Sequence, residues 1–241
     1  MERLYELAEC ARRLRNDDDM MAAVKTLGQF HGGSPWRLKA LVAAANRYLV
    51  DNRAEEYVPL YRTAAEEFPS APDAALYHWK VAFYEYLHEK IDAGALLREQ
   101  VSRYPSQSNA AGAIYFLGRR AEAEHDLSTA RVYYEWLAAA RSNYYYGMLA
   151  RACLARVEIS NAKPMQAARQ FLASAGLAAP QPLPTEPTAA TTLRIHRSRL
   201  LRSAGLADLA DGELRFGART DGRSGMSPLG QKRTTATRIT P

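Results

Sequence analysis

The chain has 241 residues, 47% of them hydrophobic and 24% charged, which is enough to bury a core in one long domain or two smaller ones. Its net charge of +6 is concentrated near the C-terminus: residues 1–190 contain 22 basic and 22 acidic side chains, whereas residues 191–241 contain 10 and 4. A body without excess positive charge argues against DNA or RNA as a partner. No uncharged apolar run reaches the roughly 18 residues that a membrane span requires, so none is predicted.

Helical periodicity begins at the N-terminus and continues to about residue 173. In the first segment, apolar residues recur at steps of three and four, which places them on one helix face: Leu4, Leu7, Ala8, Ala11 and Leu14. Strand-like alternation is almost absent, and good helix formers fill the intervening positions. The charged start has no apolar segment of the kind that an export signal requires, so we expect either a cytoplasmic protein or a sequence that lacks its start.

Three prolines divide this helical region at regular intervals. Pro35, Pro69 and Pro105 stand 34 and then 36 residues apart, and this spacing predicts one helix hairpin per repeat. A proline suits the first turn of a helix, where its missing N–H would have no partner, so each is expected at a helix start. Asp73 and Asn109 each follow a proline by four residues and are predicted to cap the new helix.

Helix pairs of this thickness can hide their apolar faces only by stacking. Tyr77, Val81 and Leu117 alternate with small residues such as Ala82 and Ala113, a pattern that lets antiparallel helices interlock. The sequence therefore predicts an all-α fold, in which antiparallel helix pairs form a right-handed superhelix, or solenoid, similar to a tetratricopeptide array.

Aromatic residues crowd the end of the helical region. They form two groups within fourteen positions: Tyr133, Tyr134 and Trp136, then Tyr144, Tyr145 and Tyr146. Aromatic side chains either fill the space between helices or stack on sugar rings, and tyrosine suits both roles because its ring is apolar while its hydroxyl needs a polar partner. Both alternatives stay open, and Tyr144, Tyr145 and Tyr146 are the candidate contacts for a glycan or another partner.

The composition changes from residue 176, because four prolines fall within eight positions: Pro180, Pro182, Pro184 and Pro187. This predicts an extended linker over 176–188, between a helical-repeat domain over 1–175 and a short helical segment over 189–216. Within that segment, helices are predicted over 189–204 and 206–214. Residues 217–241 have hardly any apolar pattern and are predicted to be a disordered tail.

Residue patterns that would indicate chemistry are missing. No two of the histidines have a spacing that places metal ligands on one helix face: His31, His78, His88, His125 and His196. Cys10 and Cys153 are too few for a disulfide framework or a four-cysteine zinc site. The Gly32-Gly33 pair lacks the lysine and the spacing of a phosphate-binding loop. We therefore predict no catalytic residue, no metal ligand and no cofactor.

Three consecutive stretches carry a recognisable pattern. They read Ala-Ile-Tyr-Phe-Leu-Gly-Arg from Ala113, Ala-Arg-Val-Tyr-Tyr from Ala130, and Tyr-Tyr-Gly-Met-Leu-Ala from Tyr145. Together they resemble the superhelical region of soluble lytic murein transglycosylases, although Phe116 replaces the tryptophan that is usual there. The resemblance extends over roughly residues 35–175, and the stretch 200–214 is similar to the helical linker before the catalytic module of that family.

The resemblance implies a periplasmic enzyme that cleaves peptidoglycan glycan strands without water, with one glutamate acting first as acid and then as base. The family's Glu-Ser pair and Gly-Leu-Met-Gln stretch do not occur here, and Glu213 is followed by Leu214. No catalytic residue is therefore carried over, and the chain is expected to be the scaffold part of such an enzyme. From about Arg223 the resemblance ends, so we hypothesise a truncated or frame-shifted reading.

A second hypothesis explains the repeat period equally well. In this alternative the chain is a tetratricopeptide-like adaptor that holds a peptide or protein in its concave groove. An independent enzyme has no constellation of residues behind it. Nothing in the sequence indicates an oligomeric state.

Overall fold

The computed structural model describes residues 1–177 and 188–221, with side chains up to residue 217, and within these ranges the chain is helical and has no strand. The predicted all-α class is confirmed. The chain divides into two units, Met1–Pro180 and Gln181–Pro241. The described part of the first unit contains α1 (Glu2–Arg13), α2 (Asp17–Phe30), α3 (Pro35–Val50), α4 (Ala54–Glu67), α5 (Ala74–Leu87), α6 (Ala93–Arg103), α7 (Ser108–Ala123), α8 (Leu127–Ala140), α9 (Tyr145–Leu154), α10 (Val157–Ser160) and α11 (Gln166–Ser174).

Each of the three regularly spaced prolines separates one helix pair from the next, as predicted. Pro35 is the first residue of α3, and the hydroxyl of Ser34 accepts a hydrogen bond from the backbone N–H of Trp36 at 3.2 Å. The prediction of a helix start is wrong for Pro69 and Pro105. Each directly follows the aromatic C-cap residue of the preceding helix, which is Phe68 for α4 and Tyr104 for α6. Proline therefore opens one helix and stops two others from continuing.

The two predicted caps are wrong. Asp73 precedes α5, but its side chain makes no capping hydrogen bond. Its backbone has φ −101° and ψ 9°, whereas a capping residue needs the extended conformation to aim its side chain at the free N–H groups. Asn109 lies inside α7, which already begins at Ser108 because a turn from Gln107 to Tyr104 closes directly after the proline.

One kind of turn recurs between the two helices of each of the first four helix pairs. One residue after each odd-numbered helix is left-handed although it is not glycine: Arg15 (φ 57°), Asn52 (φ 56°), Glu89 (φ 53°) and His125 (φ 60°). The next residue donates its N–H to a carbonyl five positions back in every case: Asn16 to Ala11, Arg53 to Tyr48, Lys90 to Glu85 and Asp126 to Ala121. These turns stand 37, 37 and 36 residues apart, so the sequence repeat is also a repeat of backbone geometry.

The helix pairs are in contact with one another. Consecutive helices pack from α1 to α9, and α1 also contacts α3, α5 contacts α7, and α7 contacts α9. Small side chains with no exposed surface lie at these contacts, as predicted for Ala82 and Ala113. Because a small residue allows two helix backbones to approach, it gives the large side chains of the neighbouring helix room to interlock.

The second unit, by itself, is described as a hairpin of α12 (Ala189–Ser203) and α13 (Ala207–Asp221). Its helices pack through small residues, since Ser198 and Ala210 are buried, and Glu213 forms an ion pair with Arg194 at 2.7 Å. α13 runs past the predicted end at residue 214 and includes residues 217–221, which were predicted to belong to the tail. Arg194 lies over the ring of Phe216 at 3.9 Å and so extends the contact with α12 by a further turn. The remainder of the predicted tail and most of the predicted linker lie outside the described residues.

Candidate functional site

The three predicted contact residues lie at the start of α9. Tyr144 is the residue before the helix and is 47% exposed, Tyr145 is 65% exposed, and Tyr146 is partly buried. Gly147 fixes their position, because a Cβ atom there would lie 2.6 Å from the carbonyl carbon of Arg141 and still closer to its oxygen. Only glycine allows α9 to begin against the end of α8 at this distance.

Tyr145 and Tyr146 belong to a larger group of rings on three odd-numbered helices. We call it the aromatic surface, and it consists of Trp79, Phe83 and Tyr86 on α5, Tyr115 and Phe116 on α7, and Tyr145 and Tyr146 on α9. Between α5 and α7, ring centroids are 5.0 Å apart for Phe83 and Phe116 and 4.8 Å apart for Tyr86 and Phe116. Between α7 and α9, Tyr115 and Tyr146 are 5.4 Å apart. The rings therefore form one continuous surface.

Gly112 allows this surface to bridge three helices. A Cβ atom on Gly112 would lie 3.1 Å from the ring of Tyr146 and 3.2 Å from the ring of Trp79. Rings from α5 and α9 thus both lie against the backbone of α7 at Gly112, where any side chain on α7 would crowd them. Tyr145 is exposed, and the other six residues of the surface are partly buried, so part of each remains open to solvent.

Three tyrosine hydroxyls of this surface are protonated at neutral pH. Burial raises the pKa of Tyr86, Tyr115 and Tyr146. The guanidinium of Arg119 acts in the opposite direction on Tyr86 and Tyr115 without reversing the shift of either pKa. These hydroxyls can therefore both donate and accept hydrogen bonds.

A polar cluster lies next to the α7 end of the aromatic surface. Glu122 accepts a hydrogen bond from the hydroxyl of Tyr134 and forms an ion pair with Arg156, whose nitrogen is 2.6 Å away, while Arg119 lies farther off at 3.7 Å. Burial acts to raise the pKa of Glu122, but the contacts with Arg156 and Tyr134 outweigh it and lower the pKa. Glu122 is therefore a structural carboxylate that stays ionised.

The other aromatic residues of the predicted cluster are packing residues. Tyr133 and Tyr134 are buried, so the packing alternative holds for them. The ring of Trp136 is partly buried and lies 5.5 Å from the guanidinium of Arg141. Packing therefore accounts for Tyr133 and Tyr134, and contact with a ligand stays a prediction for Tyr144, Tyr145 and Tyr146.

The side chains with potential for chemistry are a buried histidine and two cysteines, of which Cys153 interacts with Tyr115 of the aromatic surface. His78 is buried, and its Nδ1 is 2.7 Å from the amide oxygen of Gln100, which is itself buried. Cys10 is exposed and Cys153 is buried, each with a free thiol. Among the described residues, no three histidine, cysteine or acidic side chains come together as metal ligands. Within the same ranges, no helix is long and apolar enough to cross a membrane.

Sequence reasoning missed the α5 part of the aromatic surface. The signal was present, since Trp79, Phe83 and Tyr86 follow one another at helical steps of four and three, which places all three rings on one face of α5. Their position beside the rings of α9 could not be predicted from this pattern, because it depends on how the helices pack.

Comparison with known proteins returns no relative. No family matches the sequence, and no curated protein or solved structure is significantly similar to the chain. A function must therefore be argued from the residues and their geometry.

Proposed function

We propose that this chain is the helical-repeat scaffold of a lytic murein transglycosylase, that its helix pairs form a right-handed superhelix, and that the aromatic surface contacts peptidoglycan glycan strands in the periplasm. The observation that supports this most is the continuity of seven rings over α5, α7 and α9, of which Tyr145 is exposed and six are partly buried. Contiguous exposed apolar area is unusual on a protein surface unless it meets a partner.

The chemistry of a glycan strand suits such a surface. A pyranose ring has an apolar face of C–H groups and a rim of hydroxyls, so the face can lie on an aromatic ring while the rim stays hydrated or bonds to tyrosine hydroxyls. A strand presents these faces repeatedly along its length, and the aromatic surface spans three helices. Several sugars can therefore be held at once.

Two glycines in the stretches that resemble the family lie where a side chain would not fit. Gly118 lies against the ring of Tyr134, and a Cβ atom there would be 2.6 Å from that ring. Gly147 lies against the backbone of Arg141. Both glycines of the resembling stretches thus mark close approaches between α7, α8 and α9, which supports the proposal that these stretches form the same kind of helix array.

A second candidate function is a tetratricopeptide-like adaptor for a peptide or protein. The observation that favours it is the identical turn in four successive helix pairs, at intervals of 36 or 37 residues. Stacked helix pairs of nearly constant length present their odd-numbered helices as a continuous binding face. On this alternative, the aromatic surface would bind apolar side chains of a protein.

Sedimentation with purified peptidoglycan sacculi tests the proposal. We expect the wild-type protein to be retained, and Tyr145→Ala and Tyr86→Ala each to weaken retention about two- to tenfold, the range expected for one aromatic contact. Phe30→Ala is the matched control, because Phe30 is 72% exposed at the end of α2 and lies outside the aromatic surface.

Two outcomes would contradict the proposal. Failure of the wild-type protein to bind sacculi would exclude a glycan scaffold, and binding to a peptide array under the same conditions would favour the adaptor. Equal losses for Phe30→Ala and Tyr145→Ala would show that the aromatic surface is not the contact. Far-UV circular dichroism of each variant establishes that the helices are retained.

A further inference from the structure

One side of α1 is left open by the helices that the structure describes. The buried residues of α1, Ala8 and Ala11, belong to the core that it shares with α2 and α3. On the open side, Leu7 is 60% exposed, Cys10 is exposed, and Leu14, which directly follows the helix, is 80% exposed. Steps of three and four residues place these side chains in one row along the helix. We call Leu7, Cys10 and Leu14 the α1 stripe.

The α1 stripe differs from isolated apolar residues elsewhere on the surface. Val50 is 84% exposed at the end of α3 and Ile91 is 93% exposed between α5 and α6, and each stands beside a turn. Single exposed apolar residues of this kind need no partner. In the stripe, two leucines lie two helical turns apart with a small thiol between them, which is the spacing of the seam along which two helices pack. The stripe therefore fits another helix.

The charges beside the stripe indicate which helix fits. Glu6 and Arg13 are both exposed, and because they are seven residues apart they lie on the same side of the stripe. The guanidinium of Arg13 is 4.0 Å from Glu9, whose carboxylate is bonded to Arg12 at 2.9 Å, so the charge of Arg13 remains open to a second partner. This side of the stripe thus carries a negative charge near the start of α1 and a positive charge near its end.

A second copy of α1 matches this arrangement. When two identical helices pack antiparallel about a two-fold axis, each side of one helix meets the same side of the other, and every contact occurs twice. Glu6 of one copy then lies opposite Arg13 of the other at both ends of the contact. Parallel packing would instead bring Glu6 against Glu6 and Arg13 against Arg13, and like charges repel.

We propose that the α1 stripe binds the α1 stripe of a second copy of this chain, with the two helices antiparallel and the two-fold axis close to Cys10. The helix axes are then about 8–10 Å apart. The 12 residues of α1 span about 18 Å, so the contact belongs with the smaller protein interfaces, which bury less than about 1,200 Å². Arg3 and Arg15 are exposed at the two ends of the stripe and oppose the contact by repulsion. The dimer is therefore weak, with a Kd of about 10–100 μM.

Sedimentation velocity over a concentration series that spans this Kd tests the proposal, with a reducing agent present so that no disulfide forms. We expect a reversible equilibrium between monomer and dimer. Leu14→Ser should raise the Kd about tenfold or more, because the symmetry removes two leucine contacts at once. Ile91→Ser is the matched control, since Ile91 lies outside the stripe, and it should leave the Kd unchanged. Far-UV circular dichroism checks that Leu14→Ser keeps its helices, and Leu7→Ser takes its place if it does not.

Charge reversal tests the antiparallel arrangement. Glu6→Arg and Arg13→Glu should each raise the Kd about three- to tenfold, because each brings like charges together at two places. The double variant, in which the two charges are exchanged, should return the Kd to within about twofold of the wild-type value. A double variant as weak as either single variant would overturn the antiparallel pairing.

A thiol crosslink locates the two-fold axis. A short bismaleimide should join two copies through Cys10, so Cys10→Ser should prevent the product, whereas Cys153→Ser should not, because Cys153 is buried. Three results would overturn the proposal: a monomer at every concentration, growth into larger oligomers, which indicates contact between two different surfaces, and a dimer that Cys10 does not crosslink. Binding to sacculi decides the proposed function separately, since the aromatic surface lies on α5, α7 and α9.

Discussion

Gly147→Ala tests the packing that holds the α9 part of the aromatic surface in place. A Cβ atom at this position would lie 2.6 Å from the carbonyl carbon of Arg141 and 3.2 Å from the carbonyl oxygen of Leu137. Both neighbours are backbone atoms, so no side-chain rotation relieves the overlap. Since non-bonded carbon atoms prefer a separation of about 3.5–4.0 Å, the start of α9 must move by about 1 Å.

The expected loss of stability follows from two opposing effects. Overpacking costs about 1–3 kcal/mol, and the upper end applies because backbone must move. Alanine recovers about 1 kcal/mol of helix propensity relative to glycine. The net loss is therefore about 2 kcal/mol, which lowers the melting temperature of a unit of this size by about 4–8 °C. Thermal and urea denaturation followed by far-UV circular dichroism measure it.

Gly28→Ala is the matched control for this experiment. Gly28 lies within α2, and a Cβ atom there would make only an ordinary contact at 3.4 Å with the flexible side chain of Arg37. The same substitution should therefore raise stability by up to about 1 kcal/mol. If Gly147→Ala proved as stable as Gly28→Ala, the close approach of α9 to α8 would be refuted, and with it the placement of Tyr145 and Tyr146.

Three further substitutions test other parts of the array. Gly118→Ala would force a Cβ atom to within 2.6 Å of the buried ring of Tyr134 and should cost about 1–2 kcal/mol in urea denaturation. His125→Gly should stabilise by up to about 1 kcal/mol, because φ 60° strains any side chain at that turn, and an unchanged or lower midpoint would count against the turn. Glu122 has a lowered pKa, so its contribution is fully present above the pKa of the unfolded chain and is lost as pH falls through the folded value. Glu122→Gln should therefore lose less stability than the wild type between about pH 5 and pH 3, and parallel profiles would contradict this.

The helices and their division by prolines could be predicted because both depend on local chemistry. Apolar spacing defines a helix face, and a proline at a helix boundary either begins a helix, as Pro35 does, or stops one, as Pro69 and Pro105 do. Proline is not a barrier at every position, since Pro59 lies within α4. The repeated turn was not predictable in this way, since the left-handed positions are filled by residues such as Arg15 and Glu89 instead of glycine. The predicted cap at Asp73 failed for a related reason, because capping depends on backbone angles and not on residue identity alone.

The candidate site was predictable only where it is contiguous in sequence. Tyr144, Tyr145 and Tyr146 stand together in the sequence, and the structure places them at the start of α9. Trp79 and Tyr146 are 67 positions apart, and both rings lie against Gly112 because α5 and α9 both pack against α7. Such an arrangement depends on the tertiary packing of three helices, which residue patterns within one helix do not contain.

The composition of the aromatic surface favours a glycan over a peptide. An extended peptide carries an N–H and a C=O at nearly every residue, and each needs a partner when it leaves water. The surface offers mainly ring faces, with hydroxyls on four of its seven residues: Tyr86, Tyr115, Tyr145 and Tyr146. A peptide lying flat on it would leave backbone groups unpaired, whereas a sugar buries only its C–H face and keeps its hydroxyl rim in water.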